Sequence, residues 1–207
     1  MNGLPGLLGS GMPETYELLR PVRYLKRSFS KYGRSIAVPT EFNSFFERMV
    51  NILKTNADSN DPTALFAVWD QLNVAREDYR KSVIGFLAGT EATLSSSAVL
   101  DFLDSVESRM NSGIQRAISR SKSNVSPTYF YFSTVKFDSF PAFNGTPSYV
   151  VPVEFKVHDL PLFLEGPTRQ LKIVTSIDAK RSIYQSVKES TLYDSALQMF
   201  TMSESLE

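Results

Sequence analysis

Cysteine is absent from this 207-residue chain, and histidine occurs once, at His158. The first absence excludes disulfides, thiolate zinc sites and cysteine nucleophiles, and fits a cytosolic protein. The second leaves no histidine-rich metal site. Net charge is lacking too: 22 Lys and Arg balance 22 Asp and Glu. No global field therefore draws in nucleic acid or an anionic membrane. No run approaches the ~18 apolar residues of a membrane span, and the first residues lack the basic-then-apolar order of a signal peptide. The chain reads as soluble and cytoplasmic, with neither nucleic acid nor membrane as partner. Compact catalytic patterns are missing as well: no Walker-type phosphate loop, no Gly-x-Gly-x-x-Gly after a strand, no His-Glu-x-x-His and no Gly-x-Ser-x-Gly. Asn124-Val-Ser126 and Asn144-Gly-Thr146 match glycosylation sequons, but so short a pattern arises by chance and no secretory signal supports it.

What the sequence does have is material for a core. Hydrophobic residues make up 42% and aromatics 12%, with 15 Phe and 9 Tyr, which excludes general disorder. A chain of this length folded as one unit would bury roughly 70% of its unfolded surface.

Four helices are expected before residue 127. Pro13 opens the first, in which Pro21 should kink or divide the helix. Its basic residues Arg20, Arg23, Lys26, Arg27, Lys31 and Arg34, interleaved with Tyr24, Phe29 and Tyr32, form either a nucleic-acid patch or a solvated face; zero net charge favours the face. Phe42, Phe45, Phe46, Met49, Val50 and Leu53 recur at three- and four-residue steps behind Thr40 as N-cap. Asn56 to Asp61 is a polar connection, and Asp61-Pro62 supplies a cap and first turn for a helix to about Ile84. Leu65, Phe66, Trp69, Leu72, Tyr79 and Val83 are expected on its buried side. Ser95 to Ser97 precede a fourth helix with Asp101, Asp104 and Glu107 early and Arg116, Arg120 and Lys122 late, an order that complements the helix dipole.

The pattern changes at Pro127. The stretches 128–137 and 148–157 are aromatic and β-branched, and the second alternates, with Pro152 indicating an edge position. They predict an antiparallel pair joined by a turn-rich connector. Helix returns at Pro167–Val174 and at about Asp178–Lys188, and the end stays structured through Met202. The fold class expected is mainly α with a small β element, divided into a helical part at 1–126, a β-hairpin insertion at 127–158 and a helical return at 159–207.

The segment Asp159 to Lys172 sets a lone carboxylate and a glycine inside an apolar loop that opens onto a helix. Pro167 can take the first helical position behind Gly166, while Leu162, Phe163 and Leu164 anchor the approach. Glu165 then either satisfies free amides at the helix start or faces a ligand. Carboxylate chemistry on sugars draws Asp or Glu residues from distant places in sequence, and the candidates are Glu14, Glu17, Asp159 and Glu165. Caps and surface charges are the competing account of each.

Several segments occur in order that together resemble large cellobiose-phosphorylase-like enzymes, built on a barrel of six helical hairpins. They are Asn2-Gly-Leu-Pro-Gly-Leu-Leu-Gly-Ser-Gly-Met-Pro-Glu-Thr-Tyr-Glu-Leu18, Trp69-Asp with Ala75-Arg-Glu-Asp-Tyr-Arg80, Pro127-Thr-Tyr-Phe-Tyr131, Leu160-Pro-Leu-Phe-Leu-Glu-Gly-Pro167, and Leu192-Tyr-Asp through Ser205-Leu-Glu207. The first and fourth are the specific ones. The resemblance implies a portion of an (α/α) toroid with a two-stranded antiparallel insertion, in an enzyme that phosphorolyses or hydrolyses β-linked oligosaccharides. A carboxylic acid protonates the glycosidic oxygen while phosphate, or water activated by a second carboxylate, attacks the anomeric carbon. Met1-Asn2 looks like the ending of the motif that carries the acid, so the resemblance places the general acid upstream of Met1 and assigns no catalytic residue here. It implies that Glu165 and Arg169 contact sugar hydroxyls or phosphate, with Glu14 and Tyr16 lining the same pocket. No cofactor is implied beyond inorganic phosphate as co-substrate, and the partners are the oligosaccharide and further parts of the same polypeptide. The alternative is a non-catalytic interaction module that docks through its aromatic strands and Arg-rich helix.

Overall fold

The computed structural model describes residues 9–55, 61–145 and 147–203. The glycine-rich segment before Gly9, most of the connection after Thr55, Thr146 of the second sequon and the final Ser205-Leu-Glu207 lie wholly or mainly outside the described residues. Among those described, six helices and seven short or medium strands make the chain mostly helical with small antiparallel sheets. The chain divides into two compact units, one of Met1–Leu18 with Gly113–Glu207 and one of Leu19–Ser112. Both boundaries fall inside helices.

In the Leu19–Ser112 unit, α1 (Met12–Tyr32) contributes its C-terminal part, followed by β2 (Ile36–Pro39), α2 (Thr40–Thr55), α3 (Pro62–Val83), β3 (Glu91–Leu94) and most of α4 (Ser96–Ile118). Helix α1 runs unbroken through Pro21, so of the kink or division expected there the division does not occur. Proline removes one backbone bond and crowds the preceding turn, a cost of ~3 kcal/mol. Tyr16, Leu19 and Val22 are all buried around it, and anchoring each side of the proline holds the helix together. The expected stripe on α2 packs as read, with Phe46 and Leu53 buried. Asp61 accepts the Ala64 N–H at 2.8 Å as the cap of α3, and Ser95 accepts the Ala98 N–H ahead of α4 at 3.1 Å.

The buried side of α3 corrects the sequence expectation. Val68 and Ala75 are its buried residues, whereas Phe66 and Trp69 are 64% and 58% exposed and stack on one another. The stripe runs 65, 68, 72, 75, 79; Phe66 and Trp69 lie about 140° and about 80° from its centre. Small side chains are what let α3 approach α2, where Tyr79 stacks on Phe45 at 4.7 Å. Strands β2 and β3, absent from the sequence reading, pair antiparallel from Ile36 opposite Leu94 to Pro39 opposite Glu91. Val22, Phe46, Leu94, Val99 and Leu103 form the core of this unit.

The other unit is built on a three-stranded sheet of order β1 (Gly9–Gly11), β4 (Tyr129–Phe140), β5 (Tyr149–Asp159). The expected hairpin is there with β5 at the edge; β1 is an addition, pairing Gly9 with Tyr131 and Gly11 with Tyr129. Helices α5 (Glu165–Ile173) and α6 (Ile177–Lys188) follow, then the small hairpin β6 (Tyr193–Asp194) and β7 (Met199–Phe200). Val125, Ile183, Val187 and Leu192 make its core. Complete burial of Leu192 is worth about 1.5–3 kcal/mol.

Candidate functional site

Helix α5 starts two residues earlier than its proline suggests: Glu165 is its first residue and Pro167 its third. The missing proline N–H costs nothing in a first turn, where amides have no intrahelical partner. What fixes α5 is a close approach of backbone to side chain. Thr128, fully buried, donates to the Phe163 carbonyl at 2.8 Å and accepts the Phe163 N–H at 3.2 Å. A Cβ on Gly166 would collide with the same hydroxyl, so glycine is the residue that fits. One turn on, buried Gln170 donates to the Asn124 carbonyl at 2.7 Å and accepts the Ser126 N–H at 3.3 Å. The loop from Asn124 to Thr128 and the start of α5 are thereby stitched together.

This seating presents a row of polar side chains. Arg169 donates through Nη1 to Glu17 Oε1 at 2.7 Å and lies 3.5 Å through Nη2 from Glu165 Oε1. Lys172 Nζ reaches the same Glu17 oxygen at 3.3 Å. Tyr129 donates its phenol to Glu165 Oε2 at 2.7 Å. Glu14 borders the group: a Cβ on Gly11 would come within 2.5 Å of Glu14 Oε2 and 2.9 Å of Tyr129 Cε1. Glu17, Glu165 and Arg169 side chains are each about one third exposed, at 34%, 30% and 36%. The cluster is open to solvent yet held by mutual contacts.

Its electrostatics follow from those contacts. Burial, then the hydrogen bond to Glu165 and the charges of Glu165 and Glu14, push the Tyr129 phenol up to about 12. Tyr129 is therefore a donor at neutral pH. The hydrogen bond to Glu17, ahead of the Glu165 charge, raises Arg169 further above its already high range. In these contacts three carboxylates, Glu14, Glu17 and Glu165, stand beside two cations, Arg169 and Lys172.

Of the four residues expected to bind substrate, Glu165, Arg169 and Glu14 come together here. Tyr16 does not join them. It is fully buried, and its hydroxyl shares a 2.5 Å bond with Ser126, so it presents no surface to a ligand; burial raises its phenol pKa, partly offset by that bond. Asp159 is claimed by Arg120, 2.7 Å away. Tyr129 and Lys172 were not among the sequence candidates: a tyrosine in an aromatic strand and a lysine in a helix carry no local mark of a shared site. The basic run on α1 is partly spent within the Leu19–Ser112 unit, with Arg23 on Glu107 at 2.7 Å and Lys26 on Asp104 at 2.6 Å. Two open grooves of about 310 and 300 Å³ lie in that unit, one beside Phe46 and Asp101 and one beside Phe45 and Tyr79. Neither includes an expected site residue.

Among the described residues no group of three or more His, Asp and Glu side chains is placed to hold a metal ion, and no helix is long and apolar enough to cross a membrane. No family model and no curated protein matches this chain.

Proposed function

We propose that the chain is part of a carbohydrate-active enzyme of the cellobiose-phosphorylase-like kind, a portion of a six-hairpin (α/α) toroid, acting on β-linked oligosaccharides by phosphorolysis or hydrolysis. The observation that carries this reading is the meeting of Glu17 and Arg169, 152 positions apart, beside Glu165, Glu14 and Tyr129. Carboxylates and a guanidinium side by side, each about one third exposed, offer both acceptors and donors to vicinal sugar hydroxyls. An anion at Arg169 must displace Glu17 and approach Glu165, which favours a neutral sugar at this point over a phosphate. The general acid is assigned to no residue of the chain, and Glu165 and Arg169 are binding groups in this reading.

Saturation-transfer NMR of the whole chain with cellobiose and related β-linked disaccharides tests the proposal. Binding is expected, and Glu165→Gln and Arg169→Ala should each weaken it roughly tenfold or more, the loss of a charge-assisted hydrogen bond. Absence of binding to every such sugar by a folded chain sinks the reading. The competing account, a non-catalytic interaction module, is favoured by the exposed aromatic hairpin.

A further inference from the structure

Strands β4 and β5 leave about half of their apolar side-chain surface exposed. Phe130, at the root, is buried, but Phe132, Val135, Phe137, Phe140, Tyr149, Val151, Val153 and Phe155 are each between 41% and 58% exposed. Cross-strand partners share a face, so Phe132 lies on the same side as Val157, and Phe140 on the same side as Tyr149. Among the described residues, the order β1-β4-β5 leaves the outer edge of β5 without a neighbouring strand. Such an edge offers backbone donors and acceptors to any incoming strand, and side-chain charges ordinarily guard it.

The charges on this edge guard it selectively. Around Phe155 the sequence reads Val153, Glu154, Phe155, Lys156, Val157, apolar residues in symmetric places and opposite charges in symmetric places. We propose that β5 pairs antiparallel with β5 of a second copy of this chain, about a two-fold axis through Phe155. In that register Glu154 of each copy stands opposite Lys156 of the other, Phe155 meets Phe155, and Val153 meets Val157. Sliding both strands by one residue in either direction brings Glu154 opposite Glu154 or Lys156 opposite Lys156, which repels. The charges thus specify one register and exclude its neighbours. Pro152, which has no N–H to donate, falls opposite His158 and ends the ladder; the β4–β5 ladder itself shifts register on either side of the Lys136–Glu154 pair. A two-fold axis normal to the sheet keeps the exposed faces of both hairpins on one side, giving a continuous sheet β4-β5-β5-β4. The inference does not depend on the carbohydrate reading.

Sedimentation equilibrium of the whole chain, with circular dichroism as a check of folding, tests it. A reversible dimer is expected. Glu154→Lys and Lys156→Glu each turn two attractive pairs into two repulsive ones and should weaken association roughly tenfold or more. The double variant E154K/K156E recreates both pairs with signs exchanged and should restore the dimer. A monomer at all concentrations, a dimer indifferent to the single reversals, or a double variant no better than the singles overturns the proposal; in those cases another partner covers the edge.

Discussion

The Tyr129 phenol donates to Glu165, and its ionisation would set a second negative charge against that carboxylate and near Glu14. Its pKa rises from 10.0 in the free side chain to about 12 in the fold, so the fold favours the neutral form. The stabilisation it contributes is complete below pH 10 and is lost as pH climbs from 10 to about 12, because over that window the unfolded chain releases a proton that the folded chain keeps. Thermal melts across the window should show the melting temperature falling more steeply for the native chain than for Tyr129→Phe, in which this linkage is gone. Equal slopes would mean that the phenol does not hold Glu165 in solution. None of this is visible locally in the sequence, where Tyr129 is one aromatic among several in Thr128-Tyr-Phe-Tyr-Phe132. Its neighbour Glu165 was legible because a lone carboxylate between apolar residues and a Gly-Pro pair is unusual in itself.

At the scale of elements, α5 depends on how closely its first turn approaches the start of β4. Gly166 is buried and faces Thr128 with no room for a methyl group. Gly166→Ala must push the threonine or the helix aside, and Thr128 cannot turn away without dropping both bonds to Phe163. A loss of ~1–3 kcal/mol is expected from overpacking of this kind, read as a lower melting temperature or urea midpoint. An unchanged midpoint would show that the approach relaxes without cost. Helix starts marked by Asp61 and by Ser95, which accepts the Ala98 N–H, were readable because capping depends only on near neighbours. Strands β2 and β3 were not, since each has four residues and a mostly exposed pattern, too short for alternation to register.

Over the whole molecule, the distribution of apolar surface is uneven. The exposed rings of β4 and β5, with Phe143 at 74% between them, form a patch of the kind that folded monomers usually cover or use. The native chain should therefore bind a hydrophobic reporter dye at neutral pH, and replacing Phe137, Phe143 and Phe155 with serine should remove most of that signal while leaving the helical circular dichroism intact. Retention of the signal in the triple variant would place the accessible apolar surface elsewhere, for instance on Phe66 and Trp69. The sequence by itself determined the helices with strong period and caps, the aromatic hairpin, its edge strand and the charge symmetry about Phe155, because each is written in residues close together. Tertiary structure alone decided that Tyr16 is interior, that Gly9–Gly11 adds a third strand, that small residues and not Trp69 seat α3, and that Glu17 meets Arg169. The physical reason is common to all four: which faces bury against which is a property of packing between distant segments, and a side chain's polarity or size does not name its partner in advance.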